Sequence, residues 1–515
     1  MLAKVMSYGL MGLEGYPVTI EVDASGNGVP FFELVGLPDA AVKESRERVR
    51  SALRNSGFLY PDGRITMNMA PADVRKEGPV YDLPIAMALL AVSGRVSADS
   101  LQGMALLGEL SLNGEVRGIR GALPMVLAAR EHGVRRAALP AANAGELACV
   151  EGIEIYAVSN LREFVTALNT KALQPLPVRP WAAQTYAYDT DADDIGRIKG
   201  QYGAKRALEV AAAGGHNLLM IGPPGSGKSM MARALPSILP DLSFEEALEV
   251  TKIYSVSGDL DASDGLIRRR QVRTPHHTAT TVSLSGGGTP VRPGDISLAH
   301  NGVLFMDELP EFARNTLEVL RQPLEDGRIT VARAAGSFAF PARFMLVAAM
   351  NPCPCGYYGS RVRECRCGEN AIRNYLGRIS GPMLDRMDIQ VEVGAVEYSQ
   401  LTDRSRGESS SAVRERVNHA REVQAARFAG SSAHTNSHMN AAQLEQHCAL
   451  DDASHRLLQK AFDSTGLSAR AYTRILKVAR TIADLEGSEG IAEKHLAEAI
   501  QYRVLDRKYW GTSSR

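Results

Sequence analysis

The 515-residue chain carries no excess charge of either sign, because 58 Lys and Arg face 58 Asp and Glu. That neutrality excludes a chain-wide basic surface, so any nucleic-acid contact must come from a local patch or from a ring of repeated copies. Cysteine is scarce as well, with six residues in all, too few for a disulfide scaffold. No apolar run approaches the roughly 20 residues that a membrane-spanning helix needs. The opening Met1-Leu2-Ala3-Lys4-Val5-Met6 lacks the continuous apolar stretch of a secretory signal. A reduced, cytoplasmic protein with no membrane contact is the expectation. There is no internal repeat either. What remains, 45% hydrophobic and 23% charged, is a globular composition, and the length suggests about three domains.

Against that plain background one run stands out: Gly222-Pro223-Pro224-Gly225-Ser226-Gly227-Lys228-Ser229. It fills every position of G-x-x-x-x-G-K-S. The apolar Asn217-Leu218-Leu219-Met220-Ile221 before it reads as a buried strand, and Met230 to Leu235 after it reads as a helix start that stops near Pro236. In such a loop, glycines let backbone N–H groups turn toward phosphates, and the helix N-terminus adds positive potential. Lys228 would reach the β- and γ-phosphates, and the Ser229 hydroxyl would ligate Mg²⁺. The expected ligands are therefore a nucleoside triphosphate and Mg²⁺.

A second apolar strand, Gly302-Val303-Leu304-Phe305-Met306, ends in Asp307-Glu308. Asp307 would hold Mg²⁺ through its water shell, and Glu308 would take the proton from the attacking water. A third, Phe344 to Met350, delivers Asn351 at its end. Asn351 would position that water, although on its own it also reads as a turn residue before Pro352.

The rest of the chain divides around this core. Residues 1–168 mix strands such as Val18 to Val22 and Arg64 to Met69 with a charged helix from Ala40 to Arg54. A linker is expected over 169–194, the nucleotide-binding unit over 195–398, and a helical C-terminal part over 399–515. Asp403 to Ser411 reads as loop, and Gly430 to His438 as a polar stretch between helices. The stripe Leu476, Val478, Ala479, Ile482 and Leu485 reads as core. Pro323, inside a helical run, predicts a kink.

Four cysteines cluster as Cys353-Pro354-Cys355-Gly356 and Cys365-Arg366-Cys367-Gly368. Two thiolate pairs followed by glycine suit a tetrahedral structural Zn²⁺ site; free thiols or a redox pair are the alternative. Cys149 and Cys448 read as ordinary buried residues. His276-His277 is not assigned to metal, on the expectation that adjacent side chains diverge.

Together these motifs resemble an AAA+ ATPase of the magnesium-chelatase-like branch. Within that branch the chain resembles the YifB/ComM family of bacterial DNA-branch-migration motors. The runs that carry the resemblance are Arg273-Thr274-Pro275-His276-His277-Thr278, Pro293 to Gly302, Leu320 to Gly327, Pro341-Ala342-Arg343-Phe344 and Gly381 to Asp388. The implied fold is α/β, an AAA+ P-loop core with a helical lid of the magnesium-chelatase C-terminal type. The resemblance places an arginine finger at Arg386, acting on a neighbouring subunit's nucleotide, and a second sensor at Arg470, with Arg474 as the fallback. It also implies a homohexamer that moves on duplex, single-stranded or branched DNA in homologous recombination, with integration of DNA during natural transformation as its setting. A chelatase-type ATPase remodelling a protein partner is the alternative.

The first 168 residues resemble the α+β proteolytic domain of Lon, through Gly108 to Val116 and Val126 to Ala129. The Lon nucleophile and base positions hold Val80 and Leu123, which supply neither a hydroxyl nor a basic nitrogen. No peptidase activity is expected. In related motors a hairpin before the first sensor enters the pore; here Arg328 to Phe340 reads strand, turn, strand, with Arg333 near the tip as the candidate DNA contact. From Asp326 to Asp388 nine arginines face five acids, a local positive excess in a neutral chain. The Ser283 to Gly288 loop is a weaker pore candidate, since glycine runs are usually flexible connectors.

Overall fold

Period-two burial organises the first unit. Val18, Ile20 and Val22 face inward from the strand Glu14–Ser25, as do Ile65, Met67 and Met69 from Arg64–Ala70. In the computed structural model these strands belong to a seven-stranded mixed sheet. Its order is Phe31–Val35, Arg64–Ala70, Glu14–Ser25, Leu2–Met11, Met104–Leu106, Arg136–Pro140 and Glu154–Val158. The structure describes residues 2–510 except 26–30, 62, 182–193, 261–264, 334–335, 361–362, 396–406, 432 and 466–467. The charged helix is Ala40–Asn55. Its Asp39 cap accepts from the Val42 N–H at 2.7 Å, and Val42, Val49 and Leu53 bury its inner face. Val80 and Leu123 are both buried in this unit, and the Leu123 N–H donates to the buried Glu146 carboxylate at 3.4 Å.

The nucleotide unit is built on a five-stranded parallel sheet. Its order is Val272–Arg273, Val303–Met306, Met345–Met350, Leu218–Ile221 and Ile389–Glu392. The three central strands are buried along their whole length, as strands covered by helices on both faces must be. The Asn351 strand therefore lies between the P-loop strand and the Asp307-Glu308 strand.

The two units share a core, which the chain order does not suggest. Helix Phe244–Ser257, which follows the P-loop helix, sends Ala247, Val250 and Ile253 into the same buried cluster as helix Ala122–Glu131 of the first unit. The Gly121 N–H donates to Ser255 O at 2.9 Å across that contact. Trp181 at the end of the described linker packs edge-on to Phe244 at 5.8 Å.

The C-terminal helices Ser410–Arg427 and Ala469–Leu485 pack on helix Tyr202–Gly214 and join the P-loop core. Leu476, Val478, Ala479 and Ile482 are buried there. The Gly430 to His438 stretch is more than a spacer. Asn436 is fully buried, and its amide donates to Asp484 at 2.7 Å, beside the Arg427–Asp484 pair at 2.6 Å. Of the expected Asp403 to Ser411 loop, residues 403–406 lie outside the described residues. Among the described residues no helix is long and apolar enough to cross a membrane.

Two local expectations are corrected. Pro323 does not kink a helix. The run breaks at Leu320 into Arg314–Val319 and Arg321–Asp326, which puts Pro323 in a first turn, where a missing N–H leaves no bond unmade. Ser283 to Gly288 is not a flexible connector either. Thr281–Ser285 is helical, and Gly286–Gly287 pairs antiparallel with Arg292–Pro293.

Candidate nucleotide site

Close backbone approach fixes the start of the P-loop. A Cβ on Gly222 would sit 2.1 Å from Val393 O, so only glycine leaves the loop room beside the neighbouring strand's end. Helix Lys228–Ala234 then begins at the loop, with Gly227 as its cap. Lys228 is buried, and its ammonium donates to Gly222 O at 2.7 Å, Pro223 O at 2.9 Å and Asn351 Oδ1 at 3.3 Å. Burial pushes the Lys228 pKa below the ordinary lysine value, opposed by the charges of Asp307 and Glu308. The Ser229 hydroxyl donates to Asp307 Oδ2 at 2.6 Å. The P-loop, Asp307 and Asn351 thus meet at the C-terminal edge of the parallel sheet, where open α/β sheets bind ligands.

A hydroxyl and a carboxylate converging at hydrogen-bond distance are hard oxygen donors of the kind Mg²⁺ takes. Glu308 stands apart from that pair. Its backbone is left-handed, with φ of 53°, and its side chain is 54% exposed, so the carboxylate projects from the strand end. His277 Nδ1 lies 3.5 Å from Glu308 Oε2. The expected divergence of His276 and His277 fails: their ring centroids are 4.1 Å apart, because an irregular turn does not alternate side chains as a strand does. The only signal for His277 in the sequence is its place in the Arg273 to Thr278 run.

The other candidate arginines lie at the opposite edge. In the register Leu218 pairs with Ile389 and Ile221 with Glu392, so Arg386 precedes its strand while the P-loop follows the adjacent one. The intervening four residues span about 13 Å. Arg386 is nearly buried, donating to Pro382 O at 2.7 Å and paired with Glu325. Arg470 is exposed and meets Asp385 at 3.2 Å. Arg474 pairs with Asp388, and burial pushes its pKa down to about 10. All three arginines therefore gather around residues 385–388, away from their own P-loop.

The cysteines converge. The Sγ atoms of Cys353, Cys355, Cys365 and Cys367 all lie within 4.8 Å of one another, with separations of 3.4, 3.7 and 3.6 Å among the first three. A tetrahedral zinc with thiolate bonds near 2.3 Å sets its sulfurs about 3.8 Å apart, whereas a disulfide needs about 2.05 Å. The Tyr358 N–H donates to Cys353 Sγ at 3.3 Å. The donor set fits a structural metal, and its position is informative. A Cβ on Gly356, where φ is +83°, would lie 2.4 Å from Pro224 Cδ, so the cysteine loop rests directly on the P-loop.

Strands Arg328–Arg333 and Gly336–Pro341 form the expected hairpin, whose turn at 334–335 lies outside the described residues. Arg333 is exposed. Its guanidinium lies over Gly287, where an added Cβ would be 2.5 Å from Nη2. The two pore candidates are thus neighbours.

Comparison with known proteins extends these observations to nearly the whole chain. A family model described as magnesium chelatase, subunit ChlI, matches residues 194–401, and one for the ChlI C-terminal part matches 407–503. A third, described as subunit ChlI of Mg-chelatase, matches 20–143. Competence protein ComM of Haemophilus influenzae is 45% identical over 98% of both chains. The uncharacterized protein YifB of Salmonella typhimurium is 44% identical over the same shares. A 122-residue stretch is 32% identical to Lon protease 2 of Bacillus subtilis, covering 24% of this chain and 22% of that one.

Proposed function

Since the chain belongs to the YifB/ComM family of magnesium-chelatase-like AAA+ proteins, we propose that it is an ATP-driven DNA motor of the branch-migration type, working as a homohexamer in homologous recombination. The family implies ATPase activity, and a 45%-identical relative is named a competence protein; integration of incoming DNA is the setting we propose. The observation that carries the DNA reading is the Arg328–Pro341 hairpin, inserted between the Glu308 and Asn351 strands, with Arg333 exposed and set against Gly287. A second reading, remodelling of a protein partner, draws on the chelatase descriptions of the matching models.

In the motor, Lys228 would exchange its loop carbonyls for phosphate oxygens, and Ser229 and Asp307 would hold Mg²⁺. Bound there, the ion would supply charge neutralisation to the triphosphate. Asn351 orients the attacking water and Glu308 accepts its proton. Arg386 serves a neighbour's nucleotide as the finger, which requires a ring, and Arg470, with Arg474 as the fallback, is the lid's second sensor; all three lie at the other end of the sheet from their own P-loop. We assign 1–168 as a Lon-like domain without Ser–Lys chemistry, 169–194 as linker, 195–398 as the ATPase core and 399–515 as the lid. No peptide hydrolysis is expected of the first domain, which packs on helix Phe244–Ser257.

The deciding experiment measures ATP hydrolysis and movement of a labelled strand on a four-way DNA junction. DNA-stimulated turnover with strand movement supports the motor; brisk turnover indifferent to DNA supports protein remodelling. Arg333→Ala is expected to weaken duplex binding with little dependence on DNA sequence. It should also shallow the slope of log K against log salt by about 1 for each phosphate that is no longer neutralised. Fluorescence anisotropy at several salt concentrations reads both, and an unchanged slope would remove Arg333 from the DNA path.

A further inference from the structure

Asn217 stands immediately before the P-loop strand and binds two other segments at once. Its side-chain Oδ1 accepts from the Leu346 N–H at 2.8 Å, in the strand that ends at Asn351. Its Nδ2 donates to Arg386 O at 3.0 Å. Its backbone N–H donates to Asp388 Oδ2 at 3.1 Å, and its backbone O accepts from the N–H groups of Asp388 and Ile389, each at 3.0 Å. The amide orientation is settled by chemistry, because a peptide N–H can only donate and a peptide C=O can only accept.

Asp388 extends this knot into the lid. It pairs with Arg474, whose guanidinium also lies 3.5 Å from Arg386 O. His216 Nδ1 is 3.4 Å from Asp388 Oδ2, while its other nitrogen contacts Thr481 Oγ1 at 2.8 Å. His216 is fully buried, and burial first, then the nearby Lys477, Arg421 and Arg474 charges, press its pKa down to about 3, so it is a neutral ring at physiological pH.

We infer that Asn217 is the positioning residue that ties Arg386 to its own subunit's nucleotide site. Lys228 and Asn351 contact each other at the upper ends of the P-loop and Asn351 strands. Asn217 joins the lower ends of those two strands to the Arg386 peptide. A displacement of either strand by nucleotide in one subunit therefore moves the arginine offered to the next. This inference rests on the reading of Arg386 as a finger acting between subunits.

The test uses Asn217→Asp in the full-length chain. The carboxylate has the same shape and still accepts from Leu346 N–H, but it sets an acceptor against Arg386 O. The expected result is a roughly tenfold fall in kcat for ATP, the scale of one lost buried hydrogen bond, with KM for ATP within about twofold of wild type. In an Arg386→Ala background the same change should cost nothing more, because the group it positions is gone. Losses that multiply in the double variant, a raised KM with kcat preserved, or no change in kcat would each overturn the inference while leaving the finger reading standing. Arg386→Ala with wild-type kcat would overturn both. If the carboxylate prevents folding, Asn217→Ser removes the Arg386 bond without added charge and serves the same cycle.

Discussion

Replacing Glu308 by Gln is expected to lower ATP turnover by about 10²–10⁴-fold, the usual contribution of a general base, while ATP still binds. Gln keeps the length and shape of Glu but cannot take a proton from water. The substitution disturbs little else. Glu308 is more than half exposed and lies outside the core, and weakening its pairing with His277 removes only a solvent-facing interaction. The groups proposed to bind nucleotide do not depend on it: Lys228 is held by Gly222 O and Pro223 O, and Ser229 by Asp307. Asp307→Asn should behave differently, because it weakens the Ser229 contact and the Mg²⁺ donor set together. Single-turnover hydrolysis and binding of a fluorescent ATP analogue separate the two effects. Turnover of Glu308→Gln within tenfold of wild type would mean that another group activates the water. Loss of binding as well would make Glu308 structural.

The parts of this site that are legible in the chain are those whose chemistry is local. A fully buried parallel strand must be a short apolar run, so Leu218–Ile221, Val303–Met306 and Met345–Met350 announce themselves, and the polar residues at their ends follow. A phosphate loop needs its glycines at fixed spacing, so Gly222 to Ser229 is equally plain. Asn217 has no such signature. It is one amide before a strand, and its meaning lies in partners 129 and 169 residues away. The core shared by helices Phe244–Ser257 and Ala122–Glu131 is hidden for the same reason, since neither helix's pattern says which other surface covers it. His277 is hidden differently. Adjacent side chains diverge in a strand, but the segment after Arg273 is irregular and both histidine rings turn to one side. Arg386 is placed by resemblance alone, and its pairing with Glu325 has no sequence counterpart.

Removing Cys353 and Cys365 together, as Ser, is expected to abolish a one-to-one content of zinc and to reduce ATP turnover at least tenfold. The reason is where the cluster sits. Cys353 is two residues after Asn351 and fully buried, and Gly356 presses on Pro224 of the P-loop. A metal that tied Cys353 and Cys355 to Cys365 and Cys367 would therefore clamp Asn351, the proposed water-positioning residue, and one wall of the phosphate loop from a single point. Structural Zn²⁺ sites in small domains supply folding free energies on the order of 10 kcal/mol. Here that stabilisation would act on a loop, so global unfolding should shift far less than activity. Elemental analysis of the purified wild type, with thermal denaturation and hydrolysis of both proteins, tests each step. Wild type free of zinc, with titratable thiols that oxidise reversibly to disulfide, would replace the metal by a redox pair on the same loop. Zinc present but activity unaffected by its loss would leave the clamp without a catalytic role.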